Sequence, residues 1–166
     1  MHIRLATASD IPAITDLFNV HIPTTTVAWR DEPASDDEML DWFSRQRDAD
    51  GPVLVADDDG TVVGYACWAD FRGGARFPGY RHTVEHTIHV DGDHHGRGIG
   101  RSLLTALIDV ARERGIHVMV AGIDADNTAS IAFHHTLDFT EVARMPEIGR
   151  KFDRWLDLVL MQRIVT

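Results

Sequence analysis

A mixed α/β fold is what this sequence predicts, and three features carry the prediction. Apolar residues recur at helical spacing in three stretches, β-branched or continuous apolar runs lie between them, and a glycine turn joins one such run to a helix. Taken in order, Ile3-Arg4-Leu5-Ala6 reads as a short strand, and Ser9 as the cap of a helix bearing Ile11, Ile14, Leu17 and Phe18. Residues 19–34 are irregular and contain three consecutive threonines. Ser35-Asp36-Asp37-Glu38 is a capping box ahead of Met39, Leu40, Trp42 and Phe43, giving a second helix that stops before Gly51-Pro52. Val53-Leu54-Val55-Ala56 and the run from Val62 to Asp70 flank Asp57-Asp58-Asp59-Gly60, the signature of a hairpin.

Thr83 to Val90 reads as a third long strand. The connection before it, Phe71 to Arg81, holds Gly73, Gly74, Gly79 and three arginines, and reads as a mobile cationic flap. After Gly96 to Gly100 comes a helix to Arg114, with Leu103, Leu104, Leu107, Ile108 and Ala111 in one stripe and Gly115 as its C-cap. The nearly continuous apolar run His117 to Ile123 suits a buried parallel strand. A shorter helix at Thr128 to Leu137 and strands at Phe139 to Arg144 and near Trp155 to Met161 complete the order β-α-α-β-β-β-α-β-α-β-β.

Composition bounds the function. The chain has 166 residues, is 44% apolar and 25% charged, and carries 16 basic against 26 acidic residues, or −10. That describes one soluble domain, 1–166, with no interdomain linker or repeat. At this size roughly 70% of the unfolded surface is buried, enough for a core without disulfides or metal. The acidic balance argues against nonspecific nucleic-acid binding, which draws on Lys and Arg meeting phosphates and would need a local basic patch. The single cysteine, Cys67, excludes an internal disulfide, and no long apolar run opens the chain to serve as signal peptide or membrane anchor, so a cytoplasmic address is expected. Lys151 is the only lysine, which removes Walker-A phosphate chemistry.

The richest local signal is His95-Gly96-Arg97-Gly98-Ile99-Gly100-Arg101 between a strand and a helix. Glycines there let successive backbone N–H groups converge, the helix adds the positive end of its dipole, and Arg97 and Arg101 add charge, an arrangement suited to a pyrophosphate. A plain helix-starting turn is the alternative. A dinucleotide fold is a further one, since Asp124 lies where a ribose-binding acid would; Arg101 at the third glycine position and the five residues separating the strand from Gly96 count against it.

His82-Thr83-Val84-Glu85-His86 matches a zinc-peptidase string, H-x-x-E-H. Such a site needs a helix, whereas this stretch is rich in β-branched residues, and on a strand Glu85 faces away from both histidines. His94, His95 and His135 read as ordinary surface or packing residues. A carboxylate at Glu85, mid-strand, is costly unless partnered or used, and it reads either as a salt bridge to a loop arginine or as a general base with a raised pKa.

These residues resemble a known family. The strand ending Ile88-His89-Val90, followed by the turn from His95 to Gly100 and its helix, is similar to the acetyl-CoA site of the GNAT N-acetyltransferases. Tyr80-Arg81-His82-Thr83-Val84-Glu85-His86-Thr87, His117-Val118-Met119-Val120-Ala121-Gly122-Ile123, Asn127 with Ser130 and His134, and Gly149-Arg150-Lys151-Phe152-Asp153-Arg154-Trp155-Leu156-Asp157 narrow the resemblance to the phosphinothricin and methionine sulfoximine N-acetyltransferase branch. It spans Ile3 to Gln162. The chain departs from the branch at His95, usually Gln or Arg, at Asp138 and Asp153, commonly glycine, and in a longer 71–81 loop.

The resemblance implies a mostly antiparallel central sheet flanked by helices on both faces, an acetyl-CoA co-substrate without metal, and a homodimer. It implies that strands ending near Val90 and Ile123 splay apart to admit pantetheine. Ile88, His89, Val90, His95, Gly96, Arg97, Gly98, Ile99, Gly100, Arg101, Asn127 and His134 would then hold the cofactor. Glu85 would be the base and His134 a candidate acid for the leaving thiolate, with a backbone N–H near His89 meeting the oxyanion. Arg72, with Arg76 or Arg81, would take the acceptor's carboxylate or phosphinate. Trp29, Phe71, Tyr80 and Thr83 would line the acceptor pocket. The competing classes are a noncatalytic acetyl-CoA-binding module, which has no use for Glu85, and an acetyltransferase acting on a polyamine or a protein N-terminus; loop arginines would repel a polyamine.

Overall fold

The structure, a computed structural model, describes residues 1–73 and 76–165. Strands β1 (His2–Leu5), β2 (Val53–Asp58), β3 (Thr61–Asp70), β4 (Thr83–Val90), β5 (Val118–Asp124), β6 (Thr140–Lys151) and β7 (Arg154–Ile164) form one seven-stranded sheet ordered β1-β2-β3-β4-β5-β7-β6. Only β4 and β5 run parallel; every other neighbouring pair is antiparallel.

Helices cover both faces, each through its apolar stripe. On one face α1 (Ile11–Asn19) and α2 (Asp36–Asp48) bury Ile11, Ile14, Leu17, Met39 and Phe43 against Val53, Val55, Tyr65 and Cys67. On the other, α3 (Ile99–Glu113) buries Leu103, Leu104, Leu107, Ile108 and Ala111 against Leu54, Ala56, Val63, Met119 and Ala121. Side chains alternate across a strand, so adjacent residues of β4 serve different cores. Val84 belongs to the α3 side, and Glu85, Thr87 and His89 to the α1–α2 side, where they register with Ala69, Cys67 and Tyr65. A fourth helix, α4 (Thr128–His135), follows β5.

The parallel pairing is short. It joins Thr83 to Val118, Val84 to Met119 and Glu85 to Val120, then stops, while β5 stays paired with β7 as far as Asp124 and Leu158. Past Glu85 the two strands part, opening a gap in the middle of the sheet.

Several boundaries differ from the sequence reading. Ser9 is not the cap of α1. A short 3₁₀ turn at Ala8–Asp10 precedes the helix, and the Asp10 carboxylate accepts from the Thr7 N–H at 2.7 Å while Arg4 holds it with two further bonds of 2.8 Å. That guanidinium keeps the Asp10 carboxyl down at about 2. Ser35 does cap α2, accepting from the Glu38 N–H at 3.2 Å, but the Glu38 side chain turns to Arg30. Strand β6 runs twelve residues, well beyond Arg144, with register shifts on either side of Ala143 and Met145 that accommodate Pro146 on the sheet edge.

Candidate active site

The glycine turn lies beside the gap. Gly96 and Gly98 sit at φ 77° and 79°, in the left-handed region, and Gly98 is the residue from which α3 begins. No atom lies within 4 Å of a Cβ placed on either, so backbone conformation rather than crowding is what requires glycine here. The first N–H groups of α3 have no partner within the helix and face outward. A cleft of about 600 Å³ runs past this turn, lined by Ile88, His89, Val90, Gly96, Gly98, Ile99, Gly100, Arg101 and, from α4, Asn127 and Phe133. Its chemistry suits an elongated ligand with an anionic end.

Side chains expected around the turn are partly committed to building it. His95 donates Nε2–H to the Val90 carbonyl at 3.0 Å, closing the loop between β4 and the glycines. Arg101 bonds the Thr136 hydroxyl at 2.9 Å, tying α3 to the end of α4. Arg97 is exposed, with Asp58 as its ion-pair partner among the described residues at 3.4 Å, and can swing toward an anion. Asn127 caps α4, its Oδ1 accepting from the Ser130 N–H at 3.1 Å. His89 is buried between Tyr65 and His21, with ring centroids 5.2 and 5.7 Å away, and desolvation pushes it down to about 4, so it is a neutral wall.

The gap between β4 and β5 is a second, smaller cavity of about 120 Å³, reached by Thr87, Ile88, Gly122, Asp124, Asn127 and His134. Glu85 holds the last position at which β4 pairs with β5, next to the lining residues His86 and Thr87. Its Oε1 lies 2.9 Å from the place a Cβ on Gly122 would take, so the carboxylate rests over β5 in space that only glycine leaves open. Desolvation raises the Glu85 pKa above the ordinary glutamate value. The zinc-peptidase pattern dissolves on this strand: His86 is buried on the opposite face, and His82 Nδ1 meets the Gly115 carbonyl at 2.9 Å.

His134 and His86 form a buried pair whose protonation follows from their partners. His134 Nδ1 lies 2.7 Å from the Ser130 carbonyl, which can only accept, so that nitrogen carries the proton. Its Nε2 therefore offers a lone pair, and His86 Nε2, 3.2 Å away, must be the donor. Burial lowers both pKa values, His86 to about 3, which keeps the pair neutral.

The residues expected to line the acceptor pocket come from two segments. Phe71 donates its N–H to the Thr83 carbonyl at 3.2 Å and packs edge-on against Tyr80, over which Arg72 is placed at 5.7 Å. Arg81 bonds the Pro78 carbonyl at 2.9 Å and is exposed. Gly74 lies outside the described residues. Across the site, the segment 20–34 brings Val27 to both cavities and lays the Trp29 ring directly on Gly149 of β6.

That segment is held by Lys151, 3% exposed, whose Nζ donates to the Thr25 and Ala28 carbonyls at 2.9 and 2.7 Å. Sequence reasoning gave Lys151 and Gly122 no role of their own, and weighed His86 and Asp124 only under the zinc and dinucleotide alternatives. Gly122 carried a signal, a glycine inside an apolar strand run, which marks close approach of another group. Cys67 is buried, its thiol pushed up to about 12 by desolvation, and takes no part.

Residues 14–139 match the model of the acetyltransferase (GNAT) family. The chain is 47% identical to an L-methionine sulfoximine/L-methionine sulfone acetyltransferase of Salmonella typhimurium over 98% of its own length and 93% of the relative's. Among solved structures, it superposes with a TM-score of 0.94 on a ribosomal-protein-alanine N-acetyltransferase of Brucella melitensis, 41% identical, covering 99% of each chain. The same comparison gives 0.92 for a phosphinothricin acetyltransferase of Sinorhizobium meliloti in complex with acetyl-CoA, 34% identical, covering 98% of this chain and 87% of that one. The fold, the glycine turn at the head of α3 and the match over most of the chain agree: this protein is an acyltransferase of the GNAT acetyltransferase family.

Proposed function

We propose that this chain, working as one domain over residues 1–166, moves the acetyl group of acetyl-CoA to the α-amine of a small amino-acid-like acceptor such as methionine sulfoximine or phosphinothricin. One observation carries the reading: Glu85 occupies the last position at which β4 pairs with β5, beside a gap that is continuous with the glycine-turn cleft through Val27, Ile88, His89, Asn127 and Ser130. The relatives named above supply the substrate class.

In this reading the pyrophosphate rests on the amides of residues 96–100 and Arg97 turns toward it. Pantetheine lies along the edge of β4 that β5 leaves free past Glu85, with Asn127 against its arm, and the thioester enters the gap. An acceptor ammonium gives its proton to Glu85, a transfer that typically contributes about 10²–10⁴ in rate. The amine nitrogen then bonds to the thioester carbon, a backbone N–H near His89 meets the oxyanion, and the C–S bond breaks with its electron pair leaving on sulfur while the nitrogen gives a second proton to solvent to become the amide. His134 can supply the thiolate's proton only as an imidazolium, a form its burial disfavours, so solvent supplies it and His134 shapes the gap.

Arg72 with Arg76 or Arg81 binds the acceptor's anionic group, and Trp29, Phe71, Tyr80 and Thr83 enclose its side chain. A cytoplasmic homodimer belongs to the same reading; exposed Val142, Met145, Ile148 and Trp155 on the β6–β7 hairpin support a second copy at that edge. A protein N-terminal acceptor is the second reading, favoured by the name of the Brucella relative. A thiol-release assay with acetyl-CoA separates them. It should give turnover with methionine sulfoximine, methionine sulfone or phosphinothricin exceeding that with the common amino acids and with a peptide beginning in alanine. Turnover confined to the peptide would install the second reading.

A further inference from the structure

Among the described residues, Asp124 Oδ2 is the one buried carboxylate oxygen without a hydrogen-bond partner. The side chain is 5% exposed, and its other oxygen accepts from the Asp126 N–H at 3.0 Å. A carboxylate oxygen withdrawn from water and bonded to nothing is costly, and calls for a donor. The cavity it borders is the gap between β4 and β5. Alternation along β5 puts Val120, Gly122 and Asp124 on one face, and the Glu85 carboxylate lies over that same face at Gly122. Two residues along a strand advance about 6.6 Å, so the Asp124 side chain starts one such step from the position over which the Glu85 carboxylate lies.

Resting on the acetyltransferase reading, we propose that Asp124 is a second acceptor-binding carboxylate, whose Oδ2 accepts a hydrogen bond from the acceptor's primary ammonium and presents that nitrogen to Glu85. The ammonium has three N–H bonds. One proton passes to Glu85; a second N–H stays on Asp124 throughout, which turns the new lone pair toward the thioester carbon in the gap. The N–C bond forms, the C–S bond breaks with its electron pair leaving on sulfur, the third N–H proton passes from the cationic adduct to solvent to leave the amide, and Asp124 neither gains nor loses a proton. Two carboxylates facing one site select a protonated primary amine over a hydroxyl nucleophile, and so define the acceptor's reacting group independently of its side chain.

The test compares wild type with Asp124→Asn and Asp124→Ser, reading acceptor KM, kcat and the calorimetric Kd of coenzyme A, with thermal melts of each variant. Asn and Ser both keep an oxygen for the Asp126 N–H while removing the charge. Loss of a charged hydrogen bond predicts an acceptor KM raised about tenfold or more in both variants, with the coenzyme A Kd unchanged. If the Asn variant does not fold, the Ser variant carries the same expectation. A raised coenzyme A Kd with unchanged acceptor KM would give Oδ2 to a pantetheine amide and overturn the proposal. Unchanged values of both would give it to an enclosed water and overturn it equally. Wild-type enzyme inert toward every amine would defeat the acetyltransferase reading itself, whereas an active wild type with unaffected variants defeats only the assignment of Asp124.

Discussion

Glu85 Oε1 lies 2.9 Å from the position a Cβ on Gly122 would occupy, so the carboxylate of β4 reaches across the sheet only because β5 carries glycine there. The obstructing atom is the far end of a flexible side chain, so a methyl group at 122 displaces the carboxylate rather than the backbone. Gly122→Ala should therefore leave the melting temperature almost unchanged while kcat/KM falls by about ten- to a hundredfold, the scale of a 1 Å misplacement at a reacting centre. A variant with full activity would show that Glu85 does not work from this position.

The raised pKa of Glu85 sets the direction of the pH dependence. Desolvation disfavours the ionised carboxylate, so kcat/KM should fall as pH drops through a value above the ordinary glutamate range. Glu85→Gln should lower the rate by about 10²–10⁴ and abolish that limb. Stability should move the other way. The folded-state pKa lies above the unfolded one, so the unfolded chain ionises first as pH rises, and the native state loses stability between the two values. Chemical denaturation should find Glu85→Gln at least as stable as wild type at neutral pH, with the difference vanishing in acid below both values.

Lys151 is the tether of the segment 20–34. Its ammonium is buried with two backbone carbonyls and the Phe152 ring, 4.9 Å from the nitrogen, as its nearest partners. Lys151→Met keeps the stem and removes both bonds, and should free residues 20–34. Limited proteolysis within that segment should accelerate, and acceptor KM should rise by about tenfold. Unchanged cleavage would mean that Trp29 on Gly149 holds the segment unaided.

Asp138 and Asp153 stand where the family resemblance led one to expect glycine, and both adopt left-handed backbone, at φ 61° and 57°. Each has an arginine nearby, Arg163 at 3.6 Å and Arg150 at 3.3 Å, but both aspartates are almost fully exposed and such pairs contribute little. The backbone cost prevails. Asp138→Gly and Asp153→Gly should each stabilise by about 0.5–1 kcal/mol, read as roughly 1–4 °C in Tm.

What the sequence made legible follows the strength of local signals. Thr83–Val90 is alternating and β-branched and matches its strand end to end, and the stripe of α3 and its start at the glycines are equally plain. Strand β6 was half missed because its residues are exposed on both faces, so the edge strand carries no period-two pattern to read. The cap of α1 was misplaced because Asp10 draws its hold from Arg4 on a strand, a contact that local spacing does not encode. At the site, Glu85 and the glycine turn were visible from composition and spacing. His86, Asp124 and Lys151 were not, since each matters through a partner 48 to 126 residues away or through the lack of one.

A crystal structure with acetyl-CoA is the most direct measurement. The account predicts the diphosphate on the main-chain amides that open α3, the pantetheine arm along the free edge of β4, and the acetyl carbonyl in the gap, turned toward Glu85. A cofactor bound elsewhere, or an acetyl group on the α3 side of the sheet with Glu85 behind it, would contradict the account.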